Sequence, residues 1–325
     1  MTRTILVDIG GTNTRVGLAQ NGVLDDTSIL RFRNSEFAGL DAVIAAYFSK
    51  NGAVQLDGAC VDIAGPVHSG VGTLTNLDWT LTEAKIAAWT GAKQALLIND
   101  LQAQGHGVAD LPPESLYEVE TSQSTSENHS ETRLVVNVGT GFNAAVVYDT
   151  DGARHVPASE AGHANLPVRT AEDLSLAQFV ESTHGFPAIE DVLSGRGLES
   201  VYQWLDRDNG QDKRFSGAEI IALCHDGDAT ATKAVQVFCK FFGTVSGNLS
   251  LVHLPFGGVY LVGGVACALA PLLKTMGFVS AFRDKGRFGS LVGQFSVYVI
   301  EDDYAALRGA SRHLHAVLSK KIETA

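Results

Sequence analysis

An apolar run from Ile5 to Ile9, interrupted only by Asp8, stops at Gly10-Gly11-Thr12 and resumes as Val16 and Leu18 among alternating partners, which predicts strand, turn and strand over residues 4–20. Residues 133–148 restate the pattern, with an apolar run on either side of Gly139-Thr140-Gly141. A supersecondary unit used twice predicts a duplicated architecture with a cleft between the copies. Between and after the hairpins the period lengthens. Leu40, Val43, Ile44, Tyr47 and Phe48 recur at helical spacing, so residues 38–50 form an amphipathic helix that Gly52 ends.

Residues 59–64 predict a short strand, and Gly65-Pro66 turns the chain into a loop carrying Leu74-Thr75-Asn76. Thr80 to Glu83 fits a capping box for a short helix at 86–89 that Gly91 closes. Residues 94–98 predict a buried strand running directly into Asn99-Asp100 and a helix at 101–108. Further helices are expected at 199–205, 218–225 and 232–252. The longest carries Val235, Phe238, Phe242, Val245, Leu249 and Val252 as one buried stripe. Residues 259–262 form a strand that meets Gly263-Gly264, and a last helix at 304–319 lines up Leu307, Ala310, Leu314 and Val317. Residues 122–131 are polar and aperiodic, as in a solvated loop.

Composition narrows the classes. The 325 residues are 45% hydrophobic and suffice for two domains with sizeable cores. A net charge of -12 without a basic stripe argues against nucleic acid. Cys60, Cys224, Cys239 and Cys267 stand far apart and are expected to be reduced core thiols. Neither a signal peptide nor a membrane span is evident, so no membrane partner and a cytoplasmic protein are expected.

The polar residues that interrupt these runs suggest chemistry. Glycine tips let backbone N–H groups approach an anion, Thr12 adds a hydroxyl, and Asp8, inside an apolar strand where an unpaired carboxylate is costly, can hold a hydrated divalent cation. Two phosphate-facing tips and one cleft suggest a nucleotide. Asn99 and Asp100 stand at the carboxyl end of a strand, where open α/β sheets bind ligands. Asp100 reads either as the N-cap of its helix or as a base able to accept a hydroxyl proton. The pair Glu160 and His163 lacks the companions of a metal site and suits adjacent sugar hydroxyls better. Glu190 by itself reads as a surface helix glutamate.

The segments DIGGTNTR, NDLQAQG, VGTGFN, SEAGH, EDVLSGRGL, FGGVYLVGG and FRDKGRF occur in this order, and as a set they resemble the bacterial-type ATP-dependent glucokinases of the sugar kinase, heat-shock-protein-70 and actin superfamily. The resemblance implies an α/β fold of two ribonuclease-H-like (actin-like ATPase) domains flanking a cleft. Residues 1–110 plus 301–325 would form the smaller domain and 111–300 the larger. It implies ATP-dependent phosphorylation of glucose at the 6-hydroxyl, the first step of glycolysis, with Asp100 as the catalytic base. Asn76, Asn99, Glu160, His163 and Glu190 would bind the sugar. Gly10, Gly11, Thr12, Gly139, Thr140, Gly141, Gly263 and Gly264 would face ATP, with Asp8 reaching Mg²⁺ through water, and a homodimer is expected.

Two departures from the family pattern stand out. Asn143 occupies the place of the last glycine of the second tip, where its side chain is expected to crowd a phosphate, and SEAGH replaces the commoner E-G-G-H. The FRDKGRF segment reads equally as a surface loop or a phosphate-side contact. A kinase of mannose or glucosamine shares every catalytic residue, and a sugar-binding protein with weak or lost turnover is the alternative if Asn143 weakens the nucleotide. A sugar-sensing repressor related to the repressor and open-reading-frame kinases would need a helix-turn-helix ahead of the first hairpin and a zinc site.

Overall fold

A computed structural model describes residues 2–52, 54–74, 77–122, 132–150, 153–207 and 214–323. The chain divides into two compact units. The first comprises Met1–Leu111, Thr150–Ala158 and Asp302–Ala325, and the second Pro112–Asp149 and Ser159–Glu301. Asn76 and residues 123–131 lie outside the described residues.

In the first unit β1 (Arg3–Ile9), β2 (Asn13–Gln20), β3 (Val23–Arg33), β4 (Gly58–Ile63) and β5 (Ala95–Asn99) form one sheet in the order β3-β2-β1-β4-β5. The first three strands are antiparallel, while β1, β4 and β5 run parallel. Helices α1 (Leu40–Asn51) and α2 (Glu83–Thr90) contribute Val43, Ile44, Tyr47 and Ile86 against Ile5, Val7 and Ile9 on one face. The C-terminal helix (Ala305–Glu323) and α3 (Asp100–Gly107) cover the other, where Leu307, Ala310 and Leu314 meet Leu6, Cys60 and Ile98. Cover on both faces is why β1 places apolar residues on both, Ile5, Val7 and Ile9 on one and Leu6 on the other, instead of alternating apolar with polar.

The second unit repeats the plan. Strands β6 (Leu116–Glu120), β7 (Arg133–Val138), β8 (Phe142–Thr150), β9 (Val259–Val262) and β10 (Val297–Ile300) lie in the order β8-β7-β9-β10-β6. Its hairpin β7–β8 is antiparallel, and β7, β9 and β10 are parallel, so each glycine-tipped hairpin feeds a parallel layer. These are two α/β units of ribonuclease-H-like arrangement. The core around this sheet includes α4 (Ala171–His184), α5 (Gly195–Asp206), α6 (Gly217–His225) and α7 (Ala229–His253), with α8 (Gly264–Leu273) following β9. On α7, Val235, Phe238, Phe242 and Val245 are buried, and Phe242 packs edge-on against Phe278 at 5.0 Å.

Several expectations need correction. Val252 is 71% exposed, because the apolar stripe of α7 runs past the core in the last residues of the helix, which ends at His253. The helix cap is Thr82, whose side chain accepts from Lys85 N, while Thr80 belongs to a strand of a small three-stranded sheet. Cys267 is exposed, unlike the other three thiols.

The first unit contains two sites where packing is exacting. The C-terminal helix crosses α3 so closely that a Cβ on Gly309 would stand 1.8 Å from the Ala103 carbonyl oxygen. The other is Asp62 on β4, fully buried with no hydrogen-bond partner for either carboxyl oxygen among the described residues. Burial first, then the negative charges of Asp8 and Asp100, hold this carboxyl well above the usual range.

Gly309→Ala is expected to force the two helices apart and destabilise the chain by about 1–3 kcal/mol. Gly264→Ala, surrounded by open space, should leave the melting temperature nearly unchanged; comparable melting of both variants would refute the close-crossing argument. For Asp62 the sign follows from linkage: a raised folded-state pKa gives stability that is present at acid pH and lost as pH rises above the unfolded value. Asp62→Asn removes that loss and offers N–H donors to its acidic neighbours. Its melting temperature should therefore exceed that of the native chain, by more at pH 8 than at pH 4.

Candidate active site

The tip of the first hairpin is held from below. Gly10 N donates to Asn13 O at 3.0 Å, and the buried Asn34 ties both sides of the tip. Its Nδ2 donates to Gly10 O at 2.8 Å, its N to Thr12 O at 2.9 Å, and its Oδ1 accepts from Thr14 Oγ1 at 2.8 Å. Gly11 and Thr12 remain exposed. Gly10 does not have positive φ, and a Cβ there would meet nothing nearer than the Asn13 carbonyl oxygen at 3.4 Å. Neither turn geometry nor packing therefore demands this glycine.

Asp8, 7% exposed, faces Arg15 across the hairpin and bonds to its Nη1 at 2.8 Å. On its other side the parallel ladder sets Asp8 beside Asp62. Asp62 escaped the sequence reading, although Val61-Asp62-Ile63-Ala64-Gly65 echoes Val7-Asp8-Ile9-Gly10-Gly11 and held the signal. At the end of β5, Asn99 caps α3: its Oδ1 accepts from Leu101 N at 3.0 Å, and Gln102 Oε1 accepts from Asn99 N at 3.2 Å. The cap is therefore Asn99 and not Asp100, which is the first residue of the helix. Asn99 Nδ2 also donates to Gly65 O at 3.1 Å. Asp100 is half-buried, and burial, followed by the charge of Asp8, pushes its carboxyl up to about 7, against bonds from Leu101 N and Asn99 that favour the anion. The first unit thus brings Asp8, Asp62 and Asp100 into one electrostatic group.

In the second unit the tip is equally braced. Gly139 N donates to Gly141 O at 3.0 Å, and Gly139 O accepts from Gly195 N at 2.9 Å at the start of α5. A Cβ on Gly139 would find 3.7 Å of clearance, so this glycine too has room to spare. Asn143 is a strand residue opposite Asn137, outside the positive-φ region. Its carboxamide is engaged by Ser159 O and Ala161 N at 2.6 and 3.0 Å.

Glu190 lies in a turn ahead of α5, not on a surface helix, because its carboxylate accepts from Phe142 N at 2.9 Å. Its backbone N donates to Gly162 O at 2.9 Å. Glu160 and His163 flank a single helical turn with side chains 59% and 68% exposed and 3.9 Å apart. At the end of β9 the chain enters α8 through Gly263, where a φ of 100° and a Cβ that would stand 2.4 Å from Val138 O exclude any side chain. Phe142, Glu190 and Gly162 are linked through these bonds.

The basic segment FRDKGRF is used for packing. Arg283 pairs with Glu120 at 2.5 Å, Lys285 Nζ donates to Thr244 O at 3.0 Å, and Asp284 holds Arg169 at 2.5 Å. A cavity of about 580 Å³ lined by Arg169, Asp173, Lys240, Phe241 and Asp284 touches the FRDKGRF segment through Asp284 but includes none of the expected sugar, nucleotide or metal residues, and its Lys240 is paired with Asp173 at 2.6 Å. No group of three His, Cys, Asp or Glu side chains among the described residues would hold a metal ion unaided.

Known proteins place this geometry in a family. A glucokinase from Agrobacterium fabrum (strain C58) is 31% identical over 316 residues, covering 95% of this chain and 91% of the relative. The crystal structure of a glucokinase from an Antarctic psychrotroph superposes with a TM-score of 0.85 at 27% identity, over 97% of this chain and 99% of that one. A ROK family glucokinase from Streptomyces griseus, solved with glucose and AMPPNP, shares the fold at a TM-score of 0.66 and 18% identity, over 95% and 98% of the two chains. The glucokinase family profile matches residues 5–317, and the chain belongs to that family.

Proposed function

We propose that the chain transfers the γ-phosphoryl group of ATP to the 6-hydroxyl of D-glucose. The observation that carries this reading is Asp100, a half-buried carboxyl at the end of a parallel strand, raised to about 7, in a chain of the glucokinase family. A base with a pKa near neutrality is ionised often enough to take a proton and basic enough to hold it. In the reaction the sugar O6 forms a bond to the γ-phosphorus while the bond from that phosphorus to the β–γ bridging oxygen breaks. The hydroxyl proton passes to Asp100, and ADP departs. General-base help of this kind contributes ~10²–10⁴-fold.

The remaining assignments follow the family resemblance. Asn76, Asn99, Glu160, His163 and Glu190 position the sugar, Asn99 while it also caps α3. Gly10-Gly11-Thr12, Gly139-Thr140-Gly141 and Gly263-Gly264 receive the nucleotide through backbone N–H groups and close approach. The donors on offer near the first tip are oxygens, which suit Mg²⁺, and Asp8, oriented by Arg15, would reach it through water. Bound there, Mg²⁺ supplies neutralisation of charge between the β- and γ-phosphates. The AMPPNP complex of the Streptomyces griseus relative supports ATP as donor. This chemistry is that of the first step of glycolysis. We assign it to the cytoplasm and to a homodimer on the family resemblance. Among the described residues no helix is long and apolar enough to cross a membrane.

The test is ADP release with Mg-ATP against glucose, mannose, fructose, glucosamine and N-acetylmannosamine, with the native chain and Asp100→Asn in parallel. Turnover should depend on glucose and fall at least ~10²-fold in the variant. Absence of turnover with every sugar, while glucose still raises the melting temperature, would leave a binding protein and sink the kinase reading. The pH profile gives an independent check. Protonation removes the base, so kcat/KM should drop tenfold per unit on the acid side of about pH 7. Because the charge of Asp8 raises the Asp100 carboxyl, Asp8→Asn should move that limb to lower pH.

A further inference from the structure

Asn143 lies two residues past Gly141, in the ladder opposite Asn137. Its carboxamide makes three bonds. Nδ2 donates to Ser159 O at 2.6 Å, and Oδ1 accepts from Ala161 N at 3.0 Å and from Ala144 N at 2.8 Å. Ser159 and Ala161 are the neighbours of Glu160 on either side. One side chain therefore grips the main chain before and after that carboxylate, much as a neighbouring strand would. Only a carboxamide offers both a donor and an acceptor in this plane; a glycine offers neither, and an aspartate carboxylate lacks the donor.

The rest of the loop depends on this grip. Apart from the single helical turn Ala161–His163 it has no regular structure, and the Glu160 side chain is 59% exposed, so packing does not fix it. The other anchor acts two residues further on. There Gly162 lies under the Phe142 carbonyl oxygen, which a Cβ would approach to 2.2 Å, and Gly162 O accepts from Glu190 N. That anchor places the turn, inside which Glu160 O accepts from His163 N at 3.2 Å, and Asn143 adds the hold on Ser159 O before Glu160 and on Ala161 N after it.

We propose that Asn143 is a positioning residue for sugar recognition, clamping the main chain around Glu160 so that its carboxylate is held in the binding-competent position. The proposal rests on the reading of Glu160 as a sugar ligand. Without the clamp the loop samples other positions, and apparent affinity falls in proportion to the competent fraction. The nucleotide side of the hairpin, built from backbone groups of Gly139 to Gly141, is unaffected.

The experiment compares native chain, Asn143→Gly, Asn143→Asp and Glu160→Gln by steady-state kinetics and by calorimetric titration with glucose. Both Asn143 variants should raise the glucose KM and dissociation constant by about tenfold, the effect of a loop that is competent a tenth of the time. Their kcat should stay within about twofold and their KM for ATP should not move, because the clamp acts on a sugar-side loop alone. A purely structural role would instead lower the yield of active enzyme without splitting the two KM values. Asn143→Asp keeps the volume and the bonds from Ala161 and Ala144, so it stays informative if the glycine variant folds poorly. Unchanged glucose binding in folded Asn143 variants, with binding lost in Glu160→Gln, would overturn the clamp while sparing the sugar site. Unchanged binding in Glu160→Gln would overturn both. A rise in the KM for ATP instead of glucose would also overturn the clamp.

Discussion

The parallel register of β1, β4 and β5 is the constraint on which the first unit turns. It sets Asp8 beside Asp62 and brings Asp100 to the next strand end. Burying carboxyl groups side by side is costly, and the structure handles each in a different way. Asp8 is given Arg15, Asp62 is sealed from solvent, and Asp100 keeps partial access to water together with donors from its own helix start. One electrostatic neighbourhood thus yields an ion-paired carboxylate, a carboxyl driven toward its neutral form, and a group near neutrality. The tuning of Asp100 depends on Asp8, whose negative charge adds to desolvation.

The second unit repeats the backbone without the charge. Asn137 stands two residues before Gly139 as Asp8 stands two before Gly10, and across their hairpins Asn137 faces Asn143 where Asp8 faces Arg15. A neutral amide replaces each charged partner. The same strand-and-tip design therefore carries clustered carboxyl groups in one unit and neutral amides in the other.

Glycines separate into two groups by what surrounds them. At Gly309, Gly162 and Gly263 a methyl group would strike a carbonyl oxygen, so these residues are needed by the fold itself. At Gly10 and Gly139 there is room for one. Neither tip position requires positive φ, so the fold itself does not account for their bareness.

Much of this was legible in the sequence because it is local. Period-two and period-3.6 runs marked both hairpins, α1, α7 and the C-terminal helix, and the Asn99-Asp100 pair was visible as a polar end to an apolar strand. Recognition of the ordered motifs carried the family and the fold. Local pattern failed wherever the outcome depended on a distant partner. Asn34 is an unremarked residue between strand and helix until the fold lays it under the first tip, and Asp62 is one polar letter in an apolar run until β4 pairs with β1. Glu190 became a brace for the second tip, and Asn143 a clamp on the Glu160 loop, through contacts made 48 and 16 to 18 residues away in the chain. Even the Val252 end of the α7 stripe was decided by where the core stops. Periodicity fixes which face of an element is apolar, but only tertiary packing decides which polar group another polar group will meet. Hydrogen bonds and charge interactions depend on that meeting.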